Sequence, residues 1–126
     1  GLCAACHRAR GLGVAVGPDL DAEFQRAPEI ILRDLLFPHE SIRPGFETVI
    51  VKSRRGETLV GVAVSDSPTS LALRMQGGGE RTLLKRGATV STRRNSSIMP
   101  DHFGDSLSPR QVADLITFLR EPERKP

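Results

Sequence analysis

Hydrophobic spacing changes twice along the chain, and each change marks a new kind of element. Over 29–36, Ile31, Leu32, Leu35 and Leu36 recur at helical spacing, Pro28 suits a first helical turn and Pro38 ends the run, so a short helix is expected there. Across 46–94 the period becomes two. Strands are expected at 46–53, 58–65 and 69–75, with Val60, Val62 and Val64 sharing one face of the second, and shorter ones at 80–84 and 89–94. Arg55-Gly56, Asp66-Ser67-Pro68 and Gly77-Gly78-Gly79 supply the turns. Helical spacing returns after Ser108, an N-cap followed by Pro109 and completed as a capping box by Gln111. Val112, Leu115, Ile116 and Leu119 then form one apolar face, with Arg110 and Asp114 outside it and a polar tail over 121–126. The pattern implies an α+β fold in which about five antiparallel strands, a small curled sheet or partial barrel at 46–94, interrupt a helical domain spanning 1–126.

Length and composition narrow this. At 126 residues there is room for one domain and one core. A 38% hydrophobic content with 12 glycines excludes general disorder, and no apolar run approaches the roughly 20 residues of a bilayer span, so no transmembrane segment is expected. The sequence has no initiator Met and no charged-then-apolar leader, the look of a processed chain or an excerpt. Trp and Tyr are absent and Phe occurs five times, so the usual large core fillers are scarce and something else is expected to fill the middle.

The two cysteines, Cys3 and Cys6, stand three apart with His7 next to them. C-x-x-C-H is the attachment pattern of a c-type haem, in which two thiols add to the two vinyl groups and the imidazole ligates the iron. A thioredoxin-type pair would follow a strand in a βαβ unit, and only two residues precede Cys3. Structural zinc would need a second Cys or His pair, which His39 and His102 are too far apart in sequence to form. A disulfide or a pair of plain thiols remains the bland alternative. On the far side of the iron a softer donor is expected, as in cytochromes with Met/His ligation. Met75 ends an alternating strand and is expected to pack in the core, whereas Met99 lies in Ser96-Ser97-Ile98-Met99-Pro100, where no apolar periodicity accounts for it. Met99 is therefore the expected ligand, His102 the fallback, and His39 a surface loop histidine. Gly11, Gly13 and Gly17 suit backbone packed against a flat cofactor, and the 29–36 helix is expected over the haem pocket or in the core beside it.

In order and spacing, C-A-A-C-H, Gly17-Pro18-Asp19-Leu20, Ile98-Met99-Pro100 and the closing amphipathic helix resemble a class I cytochrome c. That resemblance implies a cytochrome c-like haem domain, with the Pro18 carbonyl accepting the hydrogen bond of the second ring nitrogen of His7. More closely, the chain resembles a haem-binding domain common in large planctomycete and verrucomicrobial proteins. The matching segments are 16–20, 30–38, 44–47, 97–100 and 113–120. This second resemblance implies a dehydrogenase domain or subunit as redox partner. In cytochromes c a first helix precedes the motif and crosses the last helix. Only Gly1 and Leu2 precede Cys3 here, so Leu115 and Leu119 are expected to be exposed.

The sequence reading is thus an electron carrier rather than an enzyme, with one covalent haem c on Cys3, Cys6, His7 and Met99, and Pro18 behind His7. Haem attachment occurs outside the bacterial cytoplasmic membrane, which implies a periplasmic or other extracytoplasmic location. Charge is uneven: residues 46–97 hold nine Lys/Arg and four Asp/Glu, the remainder nine and eleven. A basic insertion with Phe46 as its only aromatic lacks a base-stacking platform, so no nucleic acid is expected, and its charge is read as a solvated face or a steering surface that docks a partner without tuning the iron. Two other readings stay open: a haem sensor with an exchangeable sixth ligand, and a binding module whose C-x-x-C is incidental.

Overall fold

The computed structural model describes residues 2–122, so residues 123–126 of the polar tail expected over 121–126 lie outside the described residues. One 3₁₀ turn at Cys3–Ala5 leads into a minimal antiparallel hairpin, β1 (Arg8–Ala9) and β2 (Leu12–Gly13), and a second such turn forms at Glu23–Gln25. Arg10 opens the hairpin turn at φ 52°, a region most side chains avoid. It is held there at both ends. Its amide donates to Asp21 Oδ1 at 2.6 Å, while its guanidinium donates to the Phe118 and Glu121 carbonyls and lies 3.9 Å from the Phe118 ring centroid.

Helix α1 (Pro28–Leu36) starts on Pro28 and ends at Phe37, just before Pro38, as the spacing predicts. Ile31 and Leu35 are buried, but Leu32 is 37% exposed, so the buried stripe is narrower than the four-residue face expected. Strands β3 (Thr48–Lys52), β4 (Thr58–Asp66), β5 (Ser70–Arg74), β6 (Glu80–Leu84) and β7 (Thr89–Arg93) form one antiparallel sheet in the order β6-β5-β4-β3-β7. This is the α+β fold with a β-rich insertion that the pattern implied.

The hydrophobic core divides into two clusters, not one. On the sheet, Val49, Val51, Leu71 and Leu73 are buried together, with Leu59, Ala63 and Met75 packed against them. Register explains the choice of face: Val49 pairs with Gly61, Val51 with Leu59 and Leu73 with Ala63, so Leu59, Gly61 and Ala63 of β4 face this core. Val60 and Val62 share the opposite face, Val60 exposed and Val62 buried, but a shift of register between Ala63 and Ser65 leaves Val64 unpaired and exposed, so the expected three-valine face stops at Val62. The second cluster joins Leu35 to Phe103 of α2 (Phe103–Ser106) and Val112 of α3 (Pro109–Arg120), with Met99, Leu107, Leu115 and Ile116 around them. The capping box of α3 is complete: Ser108 Oγ accepts from Gln111 N at 3.2 Å and Gln111 Oε1 accepts from Ser108 N at 2.8 Å. Leu115 and Leu119 are half-buried, contrary to their expected exposure, and both line a cleft that Val16 and Val62 also border; Phe118 is the exposed large apolar side chain of this helix, covered in part by Arg10.

Candidate haem-attachment site

The attachment motif is wound into a single tight turn. His7 N and Cys6 N both donate to the Cys3 carbonyl, at 2.8 and 3.0 Å, which brings the two cysteines onto one side of the turn. Both thiols are free and half-buried. A second segment locks the turn from outside: Val14 N donates to Ala4 O at 3.0 Å, and Val16 N and Gly17 N donate to Cys6 O at 2.9 and 2.7 Å. The interlock leaves no space for side chains at two points. A Cβ on Gly13, itself at φ 95°, would collide with the His7 carbonyl, and a Cβ on Gly17 would stand 2.5 Å from His7 Cε1.

Pro18 follows directly. His7 Nδ1 lies 2.7 Å from its carbonyl oxygen. A carbonyl only accepts, so the Nδ1 proton is fixed and Nε2 keeps its lone pair for a metal. A hydrogen bond of this kind sets the ring's orientation and raises the basicity of the other nitrogen.

Cys3, Cys6 and His7 open onto a cleft of about 300 Å³ with largely apolar walls. Val16, Ile31, Leu35, Leu115 and Leu119 supply one part of its lining, and Ile98, Met99, Pro100 and Phe103 another. Met99 is half-buried in the loop before α2, its amide donating to Ser97 Oγ at 3.1 Å. That loop is tied to the sheet where β3 begins: buried Thr48 donates to the Ser96 carbonyl through both its amide, at 3.0 Å, and its hydroxyl, at 2.8 Å. His102 also lines the cleft and stacks obliquely on Phe103, whereas His39 is an exposed loop residue, as expected.

The insertion does more than carry charge. Phe46, Val62 and Gln76 contribute to the cleft wall, which explains why Val62 is buried while Val60 is exposed. Arg74 on the same sheet face reaches across to the Ala15 carbonyl at 2.5 Å, binding the sheet to the segment beside His7. The sheet therefore contributes to the wall of the cleft as well as carrying the basic charge of the insertion.

Polar residues collect at one stretch of the lining. Glu23 is only 3% exposed, and its carboxylate is paired with Arg26 at 2.9 Å and with Arg43. Arg26 also pairs with Asp34 at 2.7 Å. Burial alone would lower the Arg26 pKa, but its hydrogen bonds to Asp34 and Glu23 outweigh that and hold it above the ordinary guanidinium value. Nothing in the local pattern marked Glu23, since a lone acidic residue in a polar stretch reads as solvated; the nearby Arg26 was the available signal.

The residues fit a haem. Two free thiols three apart share a turn with an imidazole whose Nε2 lone pair is unused, at the edge of an apolar cleft in a chain short of large core side chains. A bare ion fits less well, because among the described residues no three His, Cys, Asp or Glu side chains gather as a metal site would require. Among the described residues no helix is long and apolar enough to cross a membrane. No protein-family model matches the chain, nor does any curated protein. Cys3-x-x-Cys6-His7 remains consistent with a cytochrome c haem-attachment site on geometry as well as spacing.

Proposed function

We propose that the chain is an electron-transfer domain carrying one haem c, with thioether links from Cys3 and Cys6, axial ligation by His7 and Met99, and no substrate of its own. The observation that carries this reading is the hydrogen bond from His7 Nδ1 to the Pro18 carbonyl, which leaves Nε2 bare beside two free thiols on a cleft that Met99 also lines. A bound haem would supply the one-electron chemistry, its iron alternating between ferric and ferrous.

The chain's own residues do the rest. His7, oriented by Pro18, offers a basic nitrogen, while the Met99 thioether is a soft donor that favours the reduced metal and raises the potential. The apolar walls exclude water and limit rearrangement between valence states. Resemblance to the planctomycete and verrucomicrobial domain points to a dehydrogenase domain or subunit as partner and to an extracytoplasmic location. The test is voltammetry of holoprotein made in a host with cytochrome maturation, combined with carbon monoxide exposure of the ferrous form. A reversible one-electron wave and no carbon monoxide adduct are expected. Immediate adduct formation would replace the carrier with a sensor whose sixth ligand exchanges.

A further inference from the structure

We infer that His39 is a positioning residue for the methionine loop: its ring accepts a hydrogen bond that fixes Ser97, and Ser97 in turn fixes the backbone of Met99. The inference rests on the reading of Met99 as an iron ligand. The ring stands 58 residues from the loop in sequence, yet Ser97 N donates to His39 Nδ1 at 3.0 Å. A backbone amide only donates, so Nδ1 must be bare and the neutral ring must carry its proton on Nε2, the opposite tautomer from His7. Nε2 faces Asp101 Oδ2 at 3.7 Å, two residues beyond Met99, so the ring touches the loop on both sides of the methionine.

The remaining links are short. Ser97 Oγ accepts from Met99 N at 3.1 Å, and the Ser96 carbonyl is held by Thr48. The loop is thus clamped from two directions, by the sheet at Ser96 and by the segment after α1 at Ser97. With the His39 acceptor removed, the Thr48 clamp on Ser96 stays while the hold on Ser97 goes. His39 does not line the cleft and its side chain is 41% exposed, so replacing it removes a tether without hollowing the pocket.

The experiment compares wild type, His39→Asn and His39→Leu as holoproteins. Asn places an amide oxygen close to the Nδ1 position and does not titrate; Leu has no acceptor. Two readouts are taken: hydrogen exchange at the Ser97 and Met99 amides in the reduced protein, and the weak far-red sulfur-to-iron band in the ferric protein. Loss of one hydrogen bond should speed Ser97 exchange by roughly five- to tenfold in His39→Leu, with His39→Asn close to wild type. The far-red band should weaken in His39→Leu and persist in His39→Asn. Equal exchange in all three proteins would overturn the positioning role. Exchange that follows the acceptor, in a wild type lacking the far-red band, would leave the tether standing and overturn Met99 as the ligand instead.

Discussion

His7 and Pro18 are joined by a 2.7 Å hydrogen bond from ring nitrogen to carbonyl, and the residue between Pro18 and the rest of the interlock, Gly17, packs its Cα against the same ring. Any side chain at 17 must push against Cε1, Nδ1 and Nε2 together, at 2.5, 2.9 and 3.1 Å. Gly17→Ala should therefore displace the imidazole and cost about 1–3 kcal/mol, the usual range for overpacking. Denaturant melts give the stability loss, and the ferric spectrum should shift toward high spin as the proximal bond lengthens. A Gly17→Ala variant with unchanged spectrum and stability would mean that the loop moves aside freely.

Met99 has two jobs to separate, because it also packs beside Leu35, Phe103 and Val112. Met99→Leu does so, since it keeps the volume and removes the sulfur. The variant should fold with a stability change below about 1.5 kcal/mol. It should lose the far-red band, while Met75→Leu, in the sheet core, should keep it. Retention of the band in Met99→Leu would move the sulfur ligand to Met75, whereas a wild type with no band and a bis-histidine spectrum would direct attention to His102, which lines the same cleft.

One pH effect belongs to the insertion alone. The Arg81 guanidinium hydrogen-bonds both oxygens of Glu57, at 3.3 and 3.2 Å, and holds its carboxyl below the usual glutamate value. A folded-state pKa below the unfolded one contributes stability that is present above the unfolded pKa and lost as pH falls through the folded one. Arg81→Met should thus be less stable than wild type at pH 7, by a small margin because the pair is exposed. The difference should shrink as the carboxyl protonates in acid, read as converging urea midpoints. A difference that grows in acid contradicts the pairing.

Local pattern made the elements legible because each one obeys its own period. Alternation at Thr58–Asp66 and the Ser108-Pro109-Gln111 signal at α3 needed no tertiary information. Burial was less legible. Leu32 lies on a helical apolar stripe yet is exposed, whereas Ile31 and Leu35 are buried and Leu36 is half-buried near Gly104 of α2. Val62 was indistinguishable from Val60 and Val64 until the opposite side of the cleft was in view. At the candidate site, a five-residue motif marked Cys3, Cys6 and His7, and Met99 was marked only by the absence of apolar periodicity around it, which gave no sign of its packing beside Leu35, Phe103 and Val112. Contacts across long separations were not: Arg74 to Ala15, Thr48 to Ser96 and His39 to Ser97 each join residues 48 to 59 positions apart, and no periodicity encodes them.

The central claim is covalent haem on Cys3 and Cys6, and intact-protein mass spectrometry under denaturing conditions tests it most directly. Chain produced with functional cytochrome maturation should carry the mass of one haem that survives denaturation, and the adduct should map to the peptide containing Cys3, Cys6 and His7. Cys3→Ala with Cys6→Ala should return the mass of the bare polypeptide. Wild-type chain found at its bare mass from the same host, with the cysteines as thiols or joined to each other, would contradict the account.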